Sequence, residues 1–278
     1  LTILFFSVLL IAFSILAGLL GALTGLGGGI IIIPVLVLLF HINIHLAMGA
    51  SLISVMATSS GTAAAYLREG YINLRIGLFL EIGAVVGAFL GALLMTALPI
   101  TLLTILFSLV LFFSAYLTIK RREEQDTFNA SHPWALYLKL DGTYPHQNKL
   151  SHYYVQNVPL AFLIMCIAGL LSGLLGIGSG ALKVLAMDQG LRLPYKVATT
   201  TSNFMIGITA AVSAGIYFTH GYMVPVVDFP VFIGVIIGAF LGAKLLKRIH
   251  HHYLRILFSI AICFIGIQML YNVIVGNV

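Results

Sequence analysis

The chain has 278 residues, of which 60% are hydrophobic and only 8% charged, where a soluble domain averages roughly 25% charged. That composition excludes a soluble globular domain and a disordered chain. The formal net charge of +6 does not point to a nucleic-acid partner, because excess Lys and Arg on a membrane protein report orientation.

Hydropathy predicts ten apolar segments. The first, 2–24, has no basic residue before it and no small-residue cleavage site followed by polar sequence. It reads as a membrane span rather than a removed signal peptide. The chain begins at Leu1 rather than at a methionine, which points to a few residues missing from its front. Four more segments follow at 29–40, 46–66, 76–97 and 101–119. A polar stretch runs from Lys120 to Asn157, and five further segments lie at 158–175, 180–190, 197–219, 226–246 and 253–274. A full span needs about 20 residues. Eight segments reach or nearly reach that length, but 29–40 and 180–190 are shorter. At 1.5 Å rise per residue these two cross roughly half of a 30 Å hydrocarbon core. Each follows a glycine cluster, Gly25-Leu26-Gly27-Gly28-Gly29 or Gly176-Ile177-Gly178-Ser179-Gly180. Cys166 and Cys263 both sit inside apolar runs, which predicts free packed thiols rather than a disulfide.

The polar stretch opens with Lys120, Arg121, Arg122, Glu123 and Glu124 and holds the single Trp. Ala135 to Leu140 alternates in the manner of a strand, and Asp141-Gly142 offers a tight turn. A small β-hairpin is expected there, inside a linker.

The two halves align at a single offset of 151 residues without a gap. Gly18 falls on Gly169, Gly25 on Gly176, Gly27 on Gly178 and Gly29 on Gly180; Ala47 falls on Ala198 and Ser51 on Ser202. Gly70-Tyr71 falls on Gly221-Tyr222, Gly87 to Ala92 on Gly238 to Ala243, and Ile105 to Ser108 on Ile256 to Ser259. Hydrophobicity alone would scatter matches over many offsets, so separated blocks at one offset indicate duplication. The reading is a first transmembrane repeat over 1–119, a cytoplasmic linker over 120–157 and a second, inverted repeat over 158–278.

Five segments per half is odd, so the halves should face opposite ways. With the linker taken as cytoplasmic, it carries Lys120, Arg121, Arg122, Lys139 and Lys149. The same side then receives Arg68, Arg75, Arg192, Lys196, Lys244, Lys247, Arg248 and Arg255, which is all but one of the 14 Lys and Arg residues. This positive-inside pattern predicts an all-α polytopic membrane protein with inverted 5+5 repeats and both termini outside.

Irregular backbone at membrane depth must line a cavity or be buried in protein. A helix N-terminus presents free N–H donors and partial positive charge, and glycine lets the backbone approach a ligand. Two such starts meeting near the midplane, around Gly27, Gly28 and Gly29 and around Gly178, Ser179 and Gly180, would cradle an anion. The alternative is that these glycines only permit close packing. The remaining basic residue, Lys183, sits three residues after Gly180, where the other half has Ile32. An intramembrane lysine costs roughly 2.5–3.5 kcal/mol to insert and usually faces a wet cavity, so Lys183 is expected to bind the anion; a snorkelling or Asp188-paired lysine is the alternative.

The third helix of each half is hydroxyl-rich: Ser51, Ser54, Thr58, Ser59 and Ser60, then Thr199, Thr200, Thr201, Ser202 and Asn203. Ser51, Ser202 and Asn203 are the candidate ligands, with helix packing as the alternative for each. Glu81 is the one acidic residue well inside a long apolar helix, about two turns from Arg75, and its repeat partner is Phe232. Intramembrane carboxylates relay protons, which makes Glu81 the proton-coupling candidate; a Glu bonded to a neighbouring helix is the other reading. Gly83, Gly87 and Gly91, with Gly234, Gly238 and Gly242, form small-residue ladders for helix contacts, within the chain or at a homodimer face. His250, His251 and His252 are adjacent and point different ways on a helix, so a solvated surface is expected rather than a metal site.

The paired glycine motifs with Pro34, the stretch from Ala47 to Gly61, and Thr199 to Asn203 together resemble the TauE/SafE family of membrane proteins, over nearly the whole chain. Leu185 stands where a repeated proline would match Pro34. The resemblance implies a bacterial inner-membrane transporter linked to export of sulfite or organosulfonates such as sulfoacetate. The resulting expectation is a secondary transporter of a small sulfur-containing oxyanion, working by alternating access, with no cofactor, no metal and no nucleic-acid partner. An anion channel and a carrier of a non-sulfur carboxylate are the alternatives. An intramembrane enzyme is disfavoured because no metal-ligand spacing or Ser/His pairing lies within the membrane segments. No phosphate-binding glycine loop with a following Lys-Ser/Thr is present, which disfavours an ATP-driven pump.

Overall fold

The computed structural model describes residues 3–24, 27–66, 71–119, 131–146, 149–245 and 251–275. In chain order they form α1 (Ile3–Thr24), α2 (Gly29–Pro34), α3 (Ile44–Tyr66), α4 (Leu74–Met95) and α5 (Ile100–Ile119). Then come α6 (Pro133–Tyr137), a hairpin of β1 (Gly142–His146) and β2 (Lys149–Tyr153), α7 (Val158–Leu175), α8 (Gly180–Leu185), α9 (Tyr195–Thr219), α10 (Pro225–Leu245) and α11 (His251–Val275). Seven of these helices, α1, α3, α4, α5, α7, α9 and α10, are long and apolar enough to cross a membrane. Helices are the natural outcome, because lipid leaves backbone N–H and C=O groups to find partners within their own segment.

The two short segments have a shared shape that hydropathy does not reveal. Helix α2 runs on into a π-helical turn, Val35–Leu39, and α8 runs on into another, Ala186–Gly190. Each turn is closed by a wide backbone bond, Ile42 N to Leu36 O at 3.0 Å and Leu193 N to Met187 O at 3.1 Å. Pro34 precedes one turn and Leu185 the other, so a missing proline N–H is not what creates them.

Exposure sorts the helices. Large apolar side chains face outward from α1 (Leu4, Phe5, Val8, Leu16), α4 (Ile82, Val86, Phe89), α10 (Phe229, Phe240) and α11 (Phe264, Ile267). Among the described residues α3 has none, and α9 has only Tyr195 and Phe218, at its ends. Helices α3 and α9 are therefore the central pair. They pack on each other antiparallel: Gly49 lies against Tyr222 just past the end of α9, while Ser59 lies against Gly207. The buried faces of this pair carry Ser51, Ser54, Thr58, Ser59 and Thr62 opposite Thr200, Thr201, Ser202, Asn203, Thr209 and Ser213.

The small-residue ladders are seams within the chain. On α4, a methyl group at Gly87 would strike the Cys166 carbonyl, and one at Gly91 the Leu170 carbonyl. Facing them on α7, Gly169 and Gly173 press on Ala84 and Ala88. On α10, Gly234, Gly238 and Gly242 meet Ile11, Ile15 and Leu19 of α1, and Gly18 meets Val235 in return. In both seams the contacts advance in the same direction, so α4 runs parallel to α7 and α1 parallel to α10. Lipid tails are as apolar as leucine, so this close backbone approach, not water exclusion, holds the helices together. Helix α5 pairs with α11 at the outside. Cys166 and Cys263 are free thiols.

The hairpin forms, but further along the chain than the alternation of Ala135 to Leu140 predicts. Pro133 occupies the first turn of α6, and the His132 ring accepts from the Trp134 N–H at 3.2 Å, which caps a helix there instead. Asp141 is not a turn residue. Its Oδ1 accepts from Ser131 Oγ at 2.8 Å and from Val155 N at 3.0 Å, tying the two ends of the motif together. The strands pair antiparallel from Gly142 with Tyr153 to His146 with Lys149. Asn73 anchors this motif to the bundle: its side chain caps α4 at Ile76 N and donates to Leu140 O and to Tyr153 Oη at 2.6 Å. Burial pushes the Tyr153 phenol above its ordinary pKa.

Gly25, Leu26, Arg68, Gly70, Lys120, Arg121, Arg122, Glu123, Glu124, Lys247, Arg248 and His250 lie outside the described residues, as do the side chains of Lys149, His251, His252 and Arg255.

Candidate functional site

The two breaks are built differently. Helix α1 ends at Thr24, whose Oγ1 donates back to Leu20 O. Gly27 then takes φ +79°, and Gly28 starts α2 by accepting from Ile31 N and Ile32 N. In the second half Gly176 (φ +67°) and Gly178 (φ +71°) turn the chain, and Ser179 adopts φ +43° where Gly28 does not. A left-handed non-glycine residue costs roughly 1–2 kcal/mol. Ser179 O accepts from Lys183 N at 3.1 Å and so starts α8.

Both breaks converge on one residue of α3. A side chain at Gly27 would meet Val55 Cγ2 at 3.3 Å and Ile206 Cδ1 at 3.4 Å, and one at Gly178 would meet Val55 Cγ1 at 2.7 Å. The point between the breaks is thus filled by an isopropyl group rather than open as a shared cradle. Polar groups surround this plug. Ser51 Oγ donates to Gly176 O at 2.7 Å and also lies against Gly29. Ser202 Oγ donates to Gly180 O at 3.3 Å. Ser54 Oγ lies against Gly28, and Ser59 Oγ donates to Asn203 O at 2.6 Å. Several of these groups remain unsatisfied among the described residues: Ser54 Oγ, Ser179 Oγ and both amide atoms of Asn203 are buried without a hydrogen-bond partner. Native cores leave few such atoms, and each calls for an explanation.

Lys183 is fully buried and does not snorkel. Its Nζ donates to Thr209 Oγ1 on α9 at 2.7 Å and forms an ion pair with Glu81 Oε2 on α4 at 3.4 Å. The pair therefore joins the anion-binding and proton-coupling candidates into one group. Arg75 turns away from Glu81 and donates to Lys139 O in the linker. Asp188, nearer to Lys183 in sequence, is buried in the π turn that extends α8. The repeat-matched position of Lys183 is Ile32, fully buried, and that of Glu81 is Phe232, exposed, so only one of the two repeat-related sites carries a charged pair.

Four features here escape sequence reasoning. Thr209 could have been found, since it falls on Thr58 at the same repeat offset. Tyr217 is fully buried and its Oη donates to Gly173 O and Leu174 O, both at 3.1 Å, satisfying the end of α7 just before the second break. Asp228 is a further buried carboxylate, in the first turn of α10. Val55 is one valine among many and carries no local signal.

A helical multi-pass bundle whose interior holds broken helices, unsatisfied polar side chains and a buried ion pair is the architecture of a membrane transporter. The comparisons agree. The chain matches the family described as "Sulfite exporter TauE/SafE" over residues 10–269, and it belongs to that family. It is 35% identical over 237 residues to "Probable membrane transporter protein YdhB" of Bacillus subtilis (strain 168), covering 85% of this chain and 89% of that protein. It is 25% identical over 272 residues to "Probable membrane transporter protein YunE" of the same organism, covering 95% and 97%. A "Probable membrane transporter protein" of Xylella fastidiosa (strain 9a5c) is 24% identical over 262 residues, covering 92% of each. No solved structure matches the chain. The protein is a transporter of this family and not an enzyme.

Proposed function

We propose that the protein is a secondary transporter, an exporter, of a small sulfur-containing oxyanion such as sulfite or an organosulfonate of the sulfoacetate kind. The observation that carries this reading is the fully buried ammonium of Lys183, one turn beyond the second glycine break. The family description adds the sulfur oxyanion as substrate class. Ser54, Ser179 and Asn203, buried and unsatisfied, supply polar groups for a guest, with Ser51 and Ser202 beside them. The inside-negative membrane potential favours anion exit by about 2.3 kcal/mol per charge per 100 mV.

Transport runs by alternating access between two inverted repeats, 1–119 and 158–278, joined by the linker 120–157. Several pairings support this, because exchanging the halves carries each into another. The α1/α10 seam maps onto α7/α4, and the α3/α9 and α5/α11 pairs map onto themselves. The two π turns match residue for residue. At the two ends of the central pair, His45 stacks on Tyr222 with ring centroids 4.9 Å apart, and Lys196 Nζ lies 5.6 Å over the Tyr71 ring. These two pairs are also repeat-matched and sit at opposite ends of the α3/α9 pair. In the orientation set by the basic residues, the linker and the Lys196–Tyr71 pair are cytoplasmic, and the His45–Tyr222 pair and both termini are outside.

Reconstituted protein loaded with unlabelled anion tests the reading. Saturable counterflow of labelled sulfite or sulfoacetate, and none of acetate, is the expected result. Unsaturable conductance instead of counterflow would establish a channel, and preference for acetate a carboxylate carrier.

A further inference from the structure

Resting on the anion-transporter reading, the geometry points to a charge exchange at the Lys183–Glu81 pair: the transported anion and the Glu81 carboxylate are alternative partners of the Lys183 ammonium, so each anion that binds brings a proton onto Glu81. The contacts differ in grip. Lys183 holds Thr209 Oγ1 at 2.7 Å but Glu81 Oε2 only at 3.4 Å, where a tight ammonium–carboxylate hydrogen bond measures about 2.7–2.9 Å. Thr209 is the fixed ligand and Glu81 the exchangeable one. The other carboxylate oxygen, Oε1, is buried without a hydrogen-bond partner among the described residues, so it is open to a proton.

Charge balance decides the stoichiometry. In the empty site one positive and one negative charge cancel. An anion added beside an ionised Glu81 would leave a net negative charge in the protein interior, which is heavily penalised. An anion added beside a protonated Glu81 restores neutrality. In the exchange an ammonium N–H leaves Oε2 for an oxygen of the anion, and the freed carboxylate takes a proton from water on the open side to become a carboxylic acid. Release reverses both steps. With a monovalent anion, loaded and empty sites are then both neutral, so both can move between the two faces, which net transport requires. Transport of a monovalent anion becomes electroneutral, so the membrane potential that favours exit of a bare anion does no work on it, and export is driven by the anion gradient against any inward proton gradient.

The surroundings leave this pair as the titrating unit. On α7, the Cys166 sulfur packs against Gly83. On α9 no titratable side chain lies between Lys196, which covers Tyr71, and Tyr217, which bonds the end of α7. On α5, beside α8, the titratable side chain is Tyr116, which is exposed. Beyond α8, Asp188 sits in the π turn packed on α7.

The test is a proton count. Purified full-length protein in weakly buffered detergent is titrated with methanesulfonate and with ethanesulfonate, monovalent anions that take up no proton near neutral pH. Binding is read by calorimetry and proton uptake by a pH indicator. Wild type is expected to take up about one proton per anion bound, with affinity falling up to about tenfold per pH unit where Glu81 is ionised. Glu81→Gln is expected to bind without proton uptake and without pH dependence. Anion binding by wild type with no proton uptake, or unchanged uptake by Glu81→Gln, overturns the exchange while leaving an anion transporter in place. If Glu81→Gln does not fold, the wild-type count still decides, and Glu81→Asp must preserve it. No binding of either sulfonate, or of sulfite, overturns the underlying reading as well.

Discussion

Lys183 of α8 and Glu81 of α4 lie 102 residues apart in sequence and meet at 3.4 Å in the interior. One comes from each half of the chain, and neither has an ionisable counterpart at the repeat-matched position. A buried pair adds little net stability but becomes costly when one partner is removed, because the other is left as an uncompensated charge. Lys183→Met alone should therefore destabilise the protein by about 3–5 kcal/mol, and Lys183→Met with Glu81→Leu should regain most of that. Thermal unfolding in detergent reads both; equal losses in the single and double variants would mean that the two charges are not coupled.

The α4/α7 seam has no room for a side chain at Gly87, where a methyl group would strike the Cys166 carbonyl. Gly87→Leu should cost about 1–3 kcal/mol or more, and Gly215→Leu, at a site with nothing within 4 Å, should cost much less. An unchanged melting temperature for Gly87→Leu would rule out the seam.

Tyr217→Phe removes the donor shared by the carbonyls of Gly173 and Leu174 at the end of α7. Leaving buried acceptors unpaired costs about 1–3 kcal/mol, so a lower melting temperature is expected. A silent substitution would show that another group satisfies those carbonyls.

The inverted arrangement proposed above predicts sidedness. Single cysteines replacing Lys196 and Tyr222 should react with a membrane-impermeant thiol reagent from opposite faces, Lys196→Cys from the cytoplasm and Tyr222→Cys from outside. Labelling of both from one face would contradict the inverted topology.

Much of this fold is legible from local chemistry. Apolar length marks the helices, and glycine clusters mark both breaks, because backbone freedom and hydropathy belong to the residues themselves. What is set by packing is not legible. The π turns beyond α2 and α8 depend on how the short helices dock, and Pro34 opposite Leu185 gives no common signal. Glu81 as the partner of Lys183 is a tertiary choice, made over Asp188, which is only five residues away. The hairpin is legible in kind but not in register, since His132 and Pro133 set a helix where alternation suggests a strand. Val55 between the breaks could be assigned only from the folded chain.

The central claim is that the Lys183 ammonium binds the transported anion. It is tested most directly by calorimetric titration of sulfite, sulfoacetate and taurine into wild type and into Lys183→Gln/Glu81→Gln, a variant of similar shape with the charges removed from both positions. At least one sulfur oxyanion should bind wild type and lose at least about tenfold in affinity in the double variant, equivalent to 1.4 kcal/mol. Equal affinity in the two proteins would contradict the account.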